Sequence, residues 1–423
     1  MTDIHSGPKA TSPTAGEALD RQDERLRRSV GVRGAVSGSL ERIQSGDLGV
    51  VPVVAGLVVI WTVFQVLNPI FLSPANLVNL AMESVAVGVI ALGIVAVLLV
   101  GQIDLSVGSV SGLAAAILAV TFVSHHLPVW AALLAAVAAG CAIGFLYSQM
   151  FTRFGVPSFV ATLAGLLGFL GVQLWLLGAA GAINLPFTSG LVFFAQLAFV
   201  PEALSYVLVL VAAGGLFASR FLLARERRRA GLSARSTQLI AAESAAVLVG
   251  LGAAVWYLNR GRGVGWMFVL FVALVVVMHY LLRRTGWGRS VYAVGGNVEA
   301  ARRAGINVNR VYMSVFVLCS GLAALGGVLA AARLAAANQS SGGGDVNLNA
   351  IAAAVIGGTS LFGGRGNAFA ALLGILVIQS ISSGLTLLNL DSSFRFMVTG
   401  LVLALAVALD SVARRSRASH GRA

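Results

Sequence analysis

Residues 77–100 read LVNLAMESVAVGVIALGIVAVLLV, with Glu83 as the sole charge. That length matches the ~17–25 residues an α-helix needs to cross hydrocarbon. Outward from this stretch the pattern repeats along the chain. Apolar runs cover Val50–Leu67, Leu77–Val100, Leu105–Phe122, Pro128–Phe151, Val156–Leu177 and Ala203–Leu223. Further runs cover Leu239–Leu258, Val264–Leu282, Val311–Ala332, Ala350–Leu361, Asn367–Leu388 and Phe394–Leu409. The predicted fold is an all-α polytopic membrane protein of about 10–12 transmembrane helices, some broken or re-entrant. Ala350–Leu361 is the doubtful crossing, because it is short and lies between GGG and GGRG. Irregular backbone of that kind is tolerated at depth only where protein or a water-filled cavity satisfies it.

Composition agrees with the run pattern. Of 423 residues 58% are hydrophobic and 11% charged, with a mean hydropathy of +0.90. A soluble domain has more polar surface than that charge fraction supplies, so lipid is the expected surrounding. The 50 glycines suit helices that approach closely or break at depth. Cys141 and Cys319 both sit in apolar runs and read as small buried hydrophobes, not as a disulfide or metal site.

The net charge of +13 suggests a polyanion partner until the basic residues are placed. Lys9 and six arginines precede the first run, and three further clusters lie at Arg220–Arg235, Arg283–Arg310 and beyond Val412, together 23 of the 29. These are short segments touching every second loop, as topology determinants do, so no nucleic-acid partner is expected. Alternate threading closes with twelve crossings and both termini cytoplasmic; only Arg260 and Arg262 fall on the opposite side. Residues 1–47 read as a partly disordered cytoplasmic tail without a signal-peptide core, 48–412 as the transmembrane domain, and 413–423 as a basic cytoplasmic tail.

Uphill transport needs an energy source. A nucleotide-binding P-loop uses a lysine to reach the β- and γ-phosphates, and Lys9 is the only lysine. The nearest look-alike, GTSLFGGR at Gly358–Arg365, has Gly364 at the lysine position. The chain therefore reads as a transport subunit with no catalytic residue of its own. An enzyme reading fails for want of convergent groups: His125 and His126 are neighbours in a loop and His279 stands alone. An ion-driven secondary transporter needs ionisable groups at depth. Glu83 and Glu243, near the beginnings of their runs, read as interfacial. Asp104, in LLVGQIDLSVGSVSGLAAA, breaks two runs and can cap the following helix together with Ser106.

The basic loop RRTGWGRSVYAVGGNVEAARRAGINVNR, residues 283–310, contains a short helix signal: Asn297 as N-cap, Glu299-Ala300-Ala301-Arg302-Arg303-Ala304, then Gly305 as stop. Such a helix has little stability alone and is expected to dock onto something.

At this loop a resemblance enters. YAVGGNVEAARRAGINV is similar to the cytoplasmic coupling loop of ABC importer permeases for ribose, xylose and arabinose. Glu299-Ala300-Ala301 with Gly305 resembles the family's "EAA" signature, without its downstream proline. GQIDLSVGS at 101–109, PSFVATL at 157–163 and LNAIAAAVIGGTSLFGGRG at 348–366 resemble the same family in the same order. The resemblance implies a permease of the bacterial inner membrane, working with a separate ABC ATPase that carries ATP and Mg. It also implies an extracytoplasmic sugar-binding protein and a second permease copy. It assigns ATPase coupling to Gly296, Asn297, Glu299, Ala300, Ala301 and Gly305, with Ala300 and Ala301 as a small packing face and Arg302 and Arg303 toward acidic groups of the partner. A block at 203–258 looks like an inserted helix pair of the xylose-type permeases, which favours D-xylose; Leu170 and Gln102 depart from the family pattern. Asp104, Ser106, Thr162, Asn349, Thr359 and Ser360 are candidates for the substrate pathway, since sugars are matched by neutral polar groups on broken helices.

Overall fold

A computed structural model describes residues 51–408 except 233, 392, 395, 403, 406 and 407. Both charged tails read from the sequence lie outside the described residues. Among those described, nine helices are long and apolar enough to cross a membrane.

The first helices are α1 (Val51–Leu67), α2 (Pro74–Leu99), α3 (Val107–Ala119, continued by one π-turn to Ser124), α4 (Val129–Thr152) and α5 (Ser158–Leu177). A ribbon strand β1 (Ala182–Asn184) and the short helix α6 (Gly190–Gln196) follow. Then come α7 (Glu202–Arg229), α8 (Thr237–Asn259), α9 (Trp266–Arg284), α10 (Gly286–Gly296), α11 (Val298–Arg303) and α12 (Val308–Leu334). Strand β2 (Ala336–Asn338), the half-length α13 (Val346–Ile356) and α14 (Phe369–Leu387) complete the set.

The chain divides into two compact units. The smaller, among described residues, is the segment 202–256, made of α7 and most of α8. The basic run Arg225–Arg229, expected in a loop, continues α7 instead, because arginine is a good helix former and the helix end favours cations. Glu243 on α8 pairs with Arg220 and with Arg235 at 3.2 Å, an arrangement suited to a hydrated interface.

The larger unit is built around α12, whose middle is buried on all sides. It runs antiparallel to α2 and α4: Gly93 lies against the Cys319 backbone and Gly326 against Ala86 and Ile90, while Gly140 meets Ser320 and Gly144 meets Phe316. A side chain at any of these glycines would collide with its neighbour, so the glycine content serves close helix approach, as lipid-embedded packing requires.

The larger unit has two recognisable ends. At one, β1 pairs antiparallel with β2 in the register Ala182↔Asn338, Ile183↔Ala337, Asn184↔Ala336. Gln173 at the end of α5 donates there to Asn338 O (3.1 Å) and Ser341 O (2.9 Å). At the other end, α10 and α11 lie beside the last turn of α2 and the glycine-rich turn after α13, where Gly364 N–H donates to Leu99 O at 2.9 Å.

Two breaks interrupt the helical order of this unit. Residues 101–106 separate α2 from α3 without helix. The doubtful crossing, Ala350–Leu361, takes in the last two turns of the eleven-residue α13 and the start of the turns of 357–368. α13 begins at Val346, one turn before the apolar run, and stops at Ile356 because Gly357 packs against the Ala370 backbone and Gly358 has φ +100°.

Candidate functional site

Three clusters hold the residues singled out from the sequence. The first is the turn between α2 and α3. Asp104 and Ser106 are buried, and Asp104 Oδ1 accepts from Ser106 N–H (2.8 Å) and Ser106 Oγ–H (2.7 Å). The carboxylate thus closes a local turn and, contrary to the expectation that it caps α3 with Ser106, does not reach the first N–H groups of that helix. Gly108 N–H donates instead to the side-chain oxygen of Asn347, at the start of α13. The Cys319 thiol on α12 is the neighbour of the Asp104 carboxylate, whose Oδ2 has no other partner among the described residues. Thr162 is also buried here: its Oγ1 accepts from Leu105 N–H at 3.2 Å and donates to Ser158 O at 2.9 Å. Asp104, Ser106 and Thr162 are committed to holding the broken turn among α2, α3, α5 and α12.

The second cluster lies at the end bearing α10 and α11. Asn297 caps α11, its Oδ1 accepting from Ala300 N–H at 2.8 Å. Gly305, at φ +82°, ends it with its N–H on Arg302 O at 3.0 Å. Glycine alone adopts that φ without strain. Glu299 pairs with Arg303 (3.3 Å) and Arg302 (3.6 Å) along the exposed face. The alanine pair divides: Ala301 is buried within the chain, while Ala300 is exposed together with Gly296, Asn297, Glu299, Arg302, Arg303 and Gly305. One alanine, not two, remains for an outside partner, because successive helix residues point about 100° apart.

Helix α10, which the sequence left as loop, seats this cluster. Gly288 lies against the carbonyls of Leu281 and Leu282, and Gly295 against Leu99 O and Gly364 N. Tyr292 Oη–H donates to Gly366 O at 2.8 Å, and the Arg283 guanidinium lies 5.4 Å from its ring centre. Burial pushes the Tyr292 phenol pKa up. Thr359 and Ser360 belong here too, both buried in the turn following α13, with Ser360 N–H on Arg365 O. The turn that holds them packs against Gly101, the first residue of the broken segment, but among the described residues no hydrogen bond joins Thr359 or Ser360 to Asp104, Ser106 or Thr162.

The third cluster was mostly missed. A cavity of about 220 Å³ is lined by Glu83 of α2, Asp345 and Asn349 of α13, Ile378, Gln379 and Ser382 of α14, and Thr399. Of these only Asn349 was a candidate. Glu83 was expected at an interface, but Ser73 and Pro74 start α2 a turn earlier than the apolar run, with Ser73 Oγ accepting from Asn76 N–H. Glu83 therefore sits about 5 Å from the helix midpoint at 1.5 Å per residue. Gln379 is likewise central in α14, and its Nε2–H donates to Glu83 Oε2 at 2.7 Å. Asn349 Nδ2–H donates to Asp345 Oδ2 at 2.8 Å.

Comparison with known proteins gives these clusters a family. A family profile described as "Branched-chain amino acid transport system / permease component" matches residues 76–407. The xylose transport system permease protein XylH of Escherichia coli K12 is 32% identical over 384 residues, 90% of this chain and 96% of that one. Its namesake from Haemophilus influenzae Rd is 33% identical over 378 residues, 88% of this chain and 98% of that one. The ribose import permease protein RbsC of Bacillus subtilis 168 is 31% identical over 359 residues, 84% and 90% of the two chains. No solved structure matches. The matches cover the broken α2–α3 turn, the α10–α11 segment and the α13 region alike, and they establish that the chain is a multi-pass inner-membrane protein of the ABC-type monosaccharide permease family.

Proposed function

We propose that this chain is the translocating subunit of an ABC importer for D-xylose. A separate ATPase, carrying ATP and Mg, drives it from the cytosol through α11, and a soluble binding protein delivers sugar from the opposite side. Two copies of the permease form the assembly. The family description names branched-chain amino acids, but the full-length relatives are named for xylose and ribose, and the xylose permeases align over the larger share of this chain.

The observation that carries the coupling role is the build of α11. A six-residue helix is too short to hold itself, yet this one is capped by Asn297, stopped by Gly305 and anchored by buried Ala301. Its remaining side chains form an exposed face of mixed charge, as a docking element requires. On this reading the end bearing α10 and α11 is cytoplasmic, the end bearing β1 and β2 is extracytoplasmic, and residues 203–258 are an inserted helix pair that leaves the orientation downstream unchanged.

Gly305→Pro tests it. Proline cannot adopt φ +82° and has no N–H for Arg302 O, so the stop of α11 is lost while the spans are untouched. In proteoliposomes holding permease, ATPase and binding protein, ATP-driven xylose uptake should fall to background with the variant still membrane-inserted. Unchanged uptake would refute the coupling role. Uptake by the wild-type permease alone under a proton or sodium gradient would refute the ABC reading. Competition among xylose, ribose and leucine identifies the cargo.

A further inference from the structure

We propose that the cavity between α2, α13 and α14 is the place where the transported monosaccharide halts inside the membrane, held through its hydroxyl groups by Glu83, Asp345, Asn349, Gln379 and Ser382. The proposal rests on the monosaccharide reading above and adds the residues that recognise the cargo.

Depth is the first reason. Glu83 and Gln379 lie near the middles of two membrane-length helices, and Glu83 is exposed at the surface of the larger unit. A carboxylate exposed to lipid at that level is costly, and intramembrane ionisable groups face protein or a water-filled path. The cavity is the water-accessible space beside it.

Chemistry is the second. Among the described residues that line it, every one but Ile378 is polar, and none is cationic or aromatic. Each carboxylate is oriented by an amide, Glu83 by Gln379 and Asp345 by Asn349. In each the other oxygen, Oε1 of Glu83 and Oδ1 of Asp345, accepts no hydrogen bond among the described residues, so two oriented acceptors remain for hydroxyl donors. The amides and the Ser382 and Thr399 hydroxyls can both donate and accept. An amino acid with a branched apolar side chain could set its ammonium against Glu83 and Asp345 but would find, among the described residues, only Ile378 for its hydrocarbon. A neutral polyol suits the same wall at every position.

Size is the third. With about 220 Å³ the cavity has room for a solute larger than a few waters. The cavity is framed by α13, an interrupted helix, and ligand sites of transporters recur at such interruptions near the midplane.

The test uses the complete importer with radiolabelled xylose. Ser382→Cys is made in a Cys141→Ser background, Cys319 being buried, and treated with a water-soluble maleimide during turnover. Labelling should occur, and saturating xylose with loaded binding protein should slow it about tenfold. Glu83→Gln, which keeps the acceptor for Gln379, and Asn349→Ala should each lower uptake about tenfold or more at equal membrane abundance, as losing a charge-assisted or oriented hydrogen bond to the cargo predicts. If a variant does not reach the membrane, the labelling decides alone: protection by xylose supports the site, and labelling indifferent to xylose overturns it. Unchanged uptake in both Glu83→Gln and Asn349→Ala also overturns it. A wild-type importer that takes up no monosaccharide would sink the cargo reading itself, which these outcomes leave separable.

Discussion

Gly295 and Gly296 are adjacent at the end of α10, and the structure separates their fates under the same substitution. A methyl group on Gly295 would fall on Leu99 O and within 2.7 Å of Gly364 N, the two partners of the hydrogen bond that fastens the turn after α13 to the end of α2. On Gly296 it would meet nothing within 4 Å. Forcing a methylene-sized group into a packed contact costs about 1–3 kcal/mol, and separating a part-buried N–H from its carbonyl costs about 1–3 kcal/mol more. Alanine's better helix propensity returns up to about 1 kcal/mol. The expected result is that Gly295→Ala loses about 1–6 kcal/mol and Gly296→Ala is neutral or slightly stabilised. Thermal unfolding in detergent reads the difference. ATP-driven uptake with the partner chains should fall in Gly295→Ala as well. Two variants indistinguishable in unfolding midpoint would refute the packing argument.

Tyr292→Phe removes the donor to Gly366 O and should cost about 1 kcal/mol in the same unfolding assay. Because burial raises the Tyr292 pKa above its unfolded value near 10, the stabilisation specific to the neutral phenol is complete below about pH 10. It is lost as pH rises through the folded value, so the wild-type advantage over Tyr292→Phe should shrink in alkaline titration and stay flat below. Gln173→Leu strips the donors from Asn338 O and Ser341 O, should cost about 1–3 kcal/mol, and should speed proteolytic nicking within 339–345. Asp104→Asn keeps an oxygen for the Ser106 N–H and hydroxyl and should retain uptake, whereas Asp104→Ala orphans both and should lose about 1–3 kcal/mol of stability. Loss of transport in Asp104→Asn at normal stability would instead mark the carboxylate as an ion-coupling group.

What could be read from the sequence follows from which interactions are local. Spans announce themselves because lipid demands continuous apolar runs, and α11 does so because Asn297 and Gly305 are terminus residues at the right spacing. Helix α10 was invisible: GWGRSVYAVGG has four glycines and poor intrinsic helicity. Two of them, Gly288 and Gly295, are needed only for close contact with Leu282, Leu99 and Gly364, which lie far away in sequence or on another element. Glu83 was placed at an interface because the apolar run begins after it should, whereas the Ser73-Pro74 start is a capping signal set in polar sequence. The cap of α3 comes from Asn347, 239 residues on, and Glu83 meets Gln379 across 296 residues. Pairings of that span leave no local pattern to read.

Helix α13 links the two functional proposals. Its first turn presents Asp345 and Asn349 to the cavity, and its last runs into the turn that touches Leu99, Gly295 and, through Gly366, Tyr292. It is about 16 Å of stiff helix between Gly344 at φ +63° and Gly358 at φ +100°, residues whose backbone can swing where others cannot. If the ATPase moves α11, the displacement enters α10 and meets this turn through backbone against glycine, with Tyr292 as a side-chain tie. Contacts of that kind hold no side chain that truncation could remove. Alanine scanning of larger residues other than Tyr292 would therefore leave most of the connection intact, and it is the added methyl, at Gly295 or at Gly357 against the Ala370 backbone, that should uncouple motor from cavity.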